Sequence, residues 1–166
     1  ALSDNIDYFN ISSAGDAADF GDLNEANRKT GFSSETRGVF GGGYSSPAIS
    51  DVIDYMTIAT TGNATDFGNL SLGGYVSSSA GTHTRGVFMG GYRGSPVGNT
   101  ATIDYITIPS AGNAADFGDL TVSRRINTGT GNTVRAVSAS GHAGSASSVI
   151  DYITIATTGN AIDFGD

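Results

Sequence analysis

Residues 103–120 read IDYITIPSAGNAADFGDL, and the same phrase returns three more times: IDYFNISSAGDAADFGDL from Ile6, IDYMTIATTGNATDFGNL from Ile53 and IDYITIATTGNAIDFGD from Ile150. The starting isoleucines stand 47, 50 and 47 residues apart. A fixed period of this size marks a repeat architecture in which one supersecondary unit is copied along the chain. Within the phrase, Ile103, Tyr105 and Thr107 fall on one side of a period-two strand and Asp104, Ile106 and Ile108 on the other, so both sides carry apolar groups. Such a strand must be covered on both faces. The following Asn113–Leu120 segment, with glycines at 112 and 118, reads as a short strand between turns.

Working outward, each unit has a second, looser half. ETRGVFGGGY holds Arg37, HTRGVFMGGY holds Arg85 and NTVRAVSASGH holds Arg135. From the phenylalanine of each Asp-Phe-Gly to this arginine the separations are 17, 18 and 18; from the arginine to the next Ile-Asp-Tyr they are 16, 18 and 15. Length variation therefore falls mainly in the Gly/Ser-rich connection after the arginine strand, which maps to a loop on one face. A strand from Arg85 to Met89 closed by Gly90-Gly91, and another before it over Gly73–Ser78, complete a unit of four short strands. No helical period is present, and Thr, Ile, Val, Tyr and Phe dominate. The expected fold class is all-β, built from four-stranded antiparallel units of 47–50 residues: a half unit at 1–23, then repeats at 24–70, 71–120 and 121–166, all one array.

These units resemble kelch-type β-propeller blades. Val87-Phe88-Met89-Gly90-Gly91-Tyr92 sits where that family has a hydrophobic run ending in Gly-Gly, Gly41-Gly42-Gly43 matches in the preceding unit, and Ile103-Asp104-Tyr105 sits near the Tyr-containing third strand. The third unit departs, with Ala139-Ser140-Gly141, and Phe20, Phe67, Phe117 and Phe164 stand where a tryptophan would. A half unit plus three units does not obviously close a ring of 4–8 blades, so the resemblance implies blades completed by further residues or by neighbouring copies. The wording of the repeats is also similar to repeat proteins of tailed, particularly marine, phages. That likeness implies a virion or extracellular appendage setting and a structural or host-contacting role.

Composition bounds the function. The 166 residues include 25 glycines, about twice the usual share, without a G-X-Y period. There is no cysteine, which removes disulfides and thiolate chemistry, the Tyr-Cys cofactor of kelch-type copper oxidases included. Lys+Arg 8 against Asp+Glu 16 gives a formal net charge of −8, which disfavours a nucleic-acid partner. No window approaches the ~20 apolar residues of a membrane helix, and the chain starts at Ala1 without an initiator methionine, as an internal or processed piece would.

Candidate chemistry is weighed against plainer readings. The recurrent Asp-Phe-Gly (Asp19, Asp66, Asp116, Asp163) lacks the other parts of a kinase, and an Asp-box reading fails at the alanines 17, 64, 114 and 161. A turn in which Asp bends the backbone and Gly takes the awkward dihedral suffices. Asp16, Asp19 and Asp22, or Asp116 and Asp119, could offer oxygen to calcium, but their spacing of three is unlike a calcium loop. His83 and His142 are not equivalent and assemble no triad or metal pair. No cofactor and no metal site are expected. The strand aspartates Asp7, Asp54, Asp104 and Asp151 need partners if buried, and the expected partners are Arg37, Arg85 and Arg135. Ligand contact is expected from the variable loops Tyr44–Ser50, Tyr92–Thr100 and His142–Ser148, with Tyr44, Tyr92, Arg93 and His142 offering stacking faces and donors for a sugar or a protein. The favoured reading is a non-enzymatic structural or adhesive protein that self-associates or joins other virion or appendage proteins, with a cell-surface glycan as a possible ligand. A glycan-active enzyme, or a secreted bacterial lectin or adhesin on the same scaffold, is the alternative.

Overall fold

A computed structural model describes residues 2–45 and 47–166; Ala1, and Ser46 within the first variable loop, lie outside the described residues. The chain is all-β. Its strands are β1 (Asn5–Tyr8), β2 (Ala18–Asp22), β3 (Thr30–Ser33), β4 (Arg37–Gly41), β5 (Tyr44–Ser45), β6 (Ala48–Ile49), β7 (Val52–Thr57), β8 (Thr65–Asn69), β9 (Ser78–Gly81), β10 (Arg85–Tyr92), β11 (Asn99–Thr107), β12 (Ala115–Asp119), β13 (Thr128–Gly131), β14 (Arg135–Ala139), β15 (Ile150–Thr154) and β16 (Ile162–Gly165). Three four-stranded antiparallel meanders form, β3-β4-β7-β8, β9-β10-β11-β12 and β13-β14-β15-β16. The pair β1-β2 stands alone as the outer half of a unit, and β5-β6 is a small hairpin in the first variable loop. The strand expected over residues 73–78 is displaced: β9 starts at Ser78, because the preceding segment is held by a Tyr75–Tyr92 bridge and by Gly74 donating to Ser50 O.

Each Asp-Phe-Gly strand pairs with its Ile-Asp-Tyr strand across a bulge at the Ile/Asp step. Opposite it lie Gly21, Gly68, Gly118 and Gly165 with φ between 138° and 146°, while Asp66 and Asp163 accept the Gly68 and Gly165 N–H at 2.9 and 3.0 Å. A bulge needs such a dihedral, which explains the repeated glycine.

The sheets pack face to face in chain order, and the core is the set of layers between them. Val39, Ile53, Phe67, Leu70, Val76, Phe88, Ile106 and Ile108 fill the first such layer. Val87, Met89, Ile103, Phe117, Leu120, Ala136, Ile153 and Ile155 fill the second, with Ala80. Ile6, Phe20 and Ala64 form a smaller layer beneath the half unit. Ile103, Asp104, Ile106 and Ile108 are all buried, as a strand covered on both faces requires. At one edge β9 lies against both β3 and β13.

A second device joins consecutive units through backbone. Gly62, Gly112 and Gly159 donate to Phe20, Phe67 and Phe117 O at 2.7, 2.7 and 2.8 Å, and Ala64, Ala114 and Ala161 donate to residues 22, 69 and 119, each at 2.8 Å. The intervening Asn63, Asn113 and Asn160 accept the N–H of residues 22, 69 and 119 at 3.1 Å. The Gly-Asn-Ala turns of the last three phrases are thus clips onto the last strand of the preceding unit. Phe20, Phe67 and Phe117 are buried under this arrangement, whereas Phe164 is 62 % exposed.

The third unit keeps the backbone of the double glycine without its sequence. Ser140 adopts φ 58°, matching Gly42 at 66° and Gly90 at 65°. Ser138 stands where the other units have Phe40 and Phe88, and the buried Asn127 donates to Ser78 Oγ and Ser138 Oγ at 2.8 and 2.7 Å.

Candidate ligand-binding cleft

The recurrent aspartates and arginines do different work from that expected of them. Asp54, Asp104 and Asp151 are fully buried, but the cations facing them are Lys29 (3.1 Å), Arg93 (3.7 Å) and Arg124 (3.0 Å). The expected pairing with Arg37, Arg85 and Arg135 is therefore corrected. These three guanidiniums lie over Tyr55, Tyr105 and Tyr152, 4.5–4.6 Å from the ring centres. Each of those tyrosines meets Phe67, Phe117 or Phe164 edge-on at 5.8–5.9 Å. Arg37 also donates to Ile108 O at 2.6 Å, and Arg85 to Ile155 O and Ala156 O at 2.9 and 3.0 Å, so the repeated arginine ties one unit to the next. Asp7, in the half unit, is exposed and has no ion-pair partner among the described residues.

A difference in stability follows between equivalent arginines. Arg85→Ala is expected to cost about 1.5–3 kcal/mol, from loss of the cation–π contact and charge-assisted bonds to two carbonyls. Arg135→Ala is expected to cost about 0.5–1 kcal/mol, since among the described residues its guanidinium lies over the Tyr152 ring without donating to a carbonyl. Urea denaturation of the two variants checks the order.

The buried pairs also receive help from the residue after each phrase. Asn24 donates to Asp54 Oδ1 at 2.6 Å, Ser71 N to Asp104 Oδ2 at 3.2 Å, and Thr121 Oγ1 to Asp151 Oδ1 at 2.6 Å. Asp104 is the least well served: its Oδ1 has no hydrogen-bond partner among the described residues. Burial raises its pKa, outweighing the bonds from Ser71 and the attraction of Arg93, and burial likewise lowers the pKa of Arg93. With the folded-state pKa above the unfolded one, the folded chain binds the proton first as pH falls. The stability of this site is then fully present below the unfolded pKa and is lost as pH rises through the folded pKa. Wild type is accordingly expected to gain stability relative to Asp104→Asn between neutral pH and the carboxylate range, measured as the difference in melting temperature at each pH.

The residues expected to touch a ligand separate. Arg93 is buried: besides facing Asp104 it donates to Leu72 O, so it belongs to the interior. His142 is held through its backbone by Arg125, with N–H···O bonds of 3.2 and 2.8 Å in the two directions, and does not line the cleft described next. Tyr44 and Tyr92 do come together. With Tyr75, Arg28, Arg125 and Ile126 they line a cleft of about 320 Å³ where the ends of the arginine strands of the first two units meet the segment before β13.

The walls of this cleft are tied down. Tyr75 and Tyr92 exchange backbone hydrogen bonds of 2.8 and 3.0 Å, and the Arg125 guanidinium lies 5.2 Å from the centre of the Tyr92 ring. Ile126 has φ 58° while remaining 65 % exposed. A β-branched residue in the left-handed region is strained, and such strain gathers at functional sites. Arg28, Tyr75 and Arg125 stand at one position of the three units, five residues after Leu23, Leu70 and Leu120, but the side chain there differs from unit to unit, so the repeat did not mark them, nor Ile126 beside Arg125.

In the turns before β4 and β10, Glu35 and His83 stand 3.5 Å apart on an open surface, 80 % and 62 % exposed. No group of three or more His, Cys, Asp or Glu side chains that could hold a metal occurs among the described residues, and no helix there is long and apolar enough to cross a membrane. No protein-family model and no curated protein matches this chain.

Proposed function

We propose that the protein is a non-enzymatic structural and adhesive repeat module, in which kelch-like propeller blades present a ligand cleft at the loop ends, and that it serves in a phage tail or fibre contacting a host surface. The observation carrying this reading is the tyrosine cleft: Tyr44, Tyr75 and Tyr92 converge from separate loops, and the described lining residues hold no carboxylate. Glycoside hydrolysis uses a pair of carboxylates about the scissile bond, whereas binding a sugar needs stacking faces and a few donors, which the cleft supplies. The contact of β9, an edge strand of its sheet, with the edge strands β3 and β13 of the neighbouring sheets supports the propeller reading. The likeness of the repeat wording to tailed-phage appendage proteins supports the setting.

Self-association is part of the same proposal. The outer strand β16 presents Ile162 and Phe164, 57 % and 62 % exposed, on the surface that a Gly-Asn-Ala clip covers in the other units. The corresponding turn of the half unit, around Gly15, is itself exposed, so the turn of a second copy fits this surface. Light scattering tests this part, and a monomer at all concentrations would oppose it. A glycan array followed by product analysis tests the binding role. Binding without turnover is expected; hydrolysis abolished by a single Asp or Glu substitution would favour an enzyme.

A further inference from the structure

The eight cations of this chain divide into three groups. Lys29, Arg93 and Arg124 face the buried aspartates. Arg37, Arg85 and Arg135 lie over the strand tyrosines. The two that remain, Arg28 and Arg125, both line the tyrosine cleft, and neither forms an ion pair among the described residues. In a chain whose acids outnumber its bases 16 to 8, two cations lining one cleft without a carboxylate stand against the general charge balance.

A second observation points the same way. The Nε of Arg125 is buried and has no hydrogen-bond partner among the described residues. The terminal nitrogens of the same guanidinium donate to no group among the described residues, and they are the donors an acceptor in the cleft would meet. Its guanidinium is already oriented by the Tyr92 ring and by the backbone pairing of residues 125 and 142, so little freedom remains to be lost on binding. The strained, exposed Ile126 sits beside it on the same wall.

We infer that the cleft binds an acidic sugar, with Arg125 and Arg28 holding its anionic group and the tyrosines receiving the apolar face of its ring. Guanidinium groups match the planar, forked geometry of a carboxylate and also pair well with sulfate oxygens. The volume of about 320 Å³ suits one or two sugar rings. This inference rests on the glycan-contacting reading of the cleft and adds the charge class of the ligand.

The test is calorimetric titration of the full chain with three oligosaccharides of equal length: a uronic-acid oligomer, a sulfated galactan oligomer and their neutral counterpart. Either acidic oligomer is expected to bind at least about tenfold more tightly than the neutral one, and the preference is expected to shrink with added salt. The carboxylated and sulfated arms identify the anion. Arg28→Gln, at an exposed position, is expected to reduce the preference with an unchanged melting temperature, and Arg125→Gln to abolish it. Equal affinity for neutral and acidic oligomers, or an unaltered preference in both variants, would overturn the inference while leaving glycan contact in place. Failure of all three to bind would overturn both.

Discussion

Asp151→Ala is expected to destabilise the protein by about 3–5 kcal/mol, because it strands the Arg124 guanidinium in the interior with no countercharge. Both side chains are fully buried and 3.0 Å apart, and Thr121 bonds the carboxylate through its backbone N–H and its hydroxyl. Arg124 additionally donates to Ser138 O at 2.9 Å, so its charge cannot swing out to water without dismantling β14. Replacing both partners at once, as in Arg124→Met with Asp151→Leu, is expected to cost much less, since the dominant penalty is the unpaired charge rather than the missing attraction. Urea denaturation of the single and double variants reads this difference directly. A single variant within 1 kcal/mol of wild type, against the ~3–5 kcal/mol expected, would show that the pair is not enclosed as described.

Gly118→Ala carries the next largest expected effect. Its φ of 143° disfavours any side chain, and an added Cβ would lie 2.5 Å from Gly159 O, in the clip that joins the second and third units. Strain alone costs about 1–3 kcal/mol, and expulsion of the clip adds the loss of hydrogen bonds from Gly159 and Ala161, together about 1–3 kcal/mol. Gly165→Ala is the internal control, for it shares the dihedral (φ 138°) but meets nothing within 4 Å. The excess destabilisation of Gly118→Ala over Gly165→Ala, measured by thermal melting, isolates the contribution of the clip. Equal effects would mean that the glycine is repeated for its dihedral alone.

Much of the local structure was legible because it is written four times. Period-two strands and glycine-marked turns recur at fixed spacing, and each rests on short-range backbone geometry; the Asp-Phe-Gly tripeptides, read as turns, lie instead in short strands paired across a bulge. That the strand aspartates need partners if buried was also legible; which of them are buried was not, since Asp7 stands in the same phrase and is exposed while Asp54, Asp104 and Asp151 are enclosed. Their partners were not legible either. The search for a repeating cation pointed to Arg37, Arg85 and Arg135, but each aspartate takes its countercharge from a different place in its unit: Lys29 before β3, Arg93 after β10, Arg124 before β13. A buried charge needs a cation within reach and is indifferent to which segment supplies it, so the repeat carries no signal of the choice.

The cleft shows the same division. Tyr44 and Tyr92 could be singled out as aromatic residues at equivalent loop starts, whereas Arg93, next in the chain, turned inward to Asp104. Sequence alone determined the all-β repeat, its period, the glycine-bearing turns and the need to compensate the strand aspartates, since all of these follow from patterns within one unit. Only the tertiary structure decided which cation meets which aspartate, which tyrosines share a cleft and which arginines are left to face a ligand. Those outcomes depend on distances between units, and residues 33 or more positions apart, such as Arg28, Tyr92 and Arg125, become neighbours only when the sheets pack.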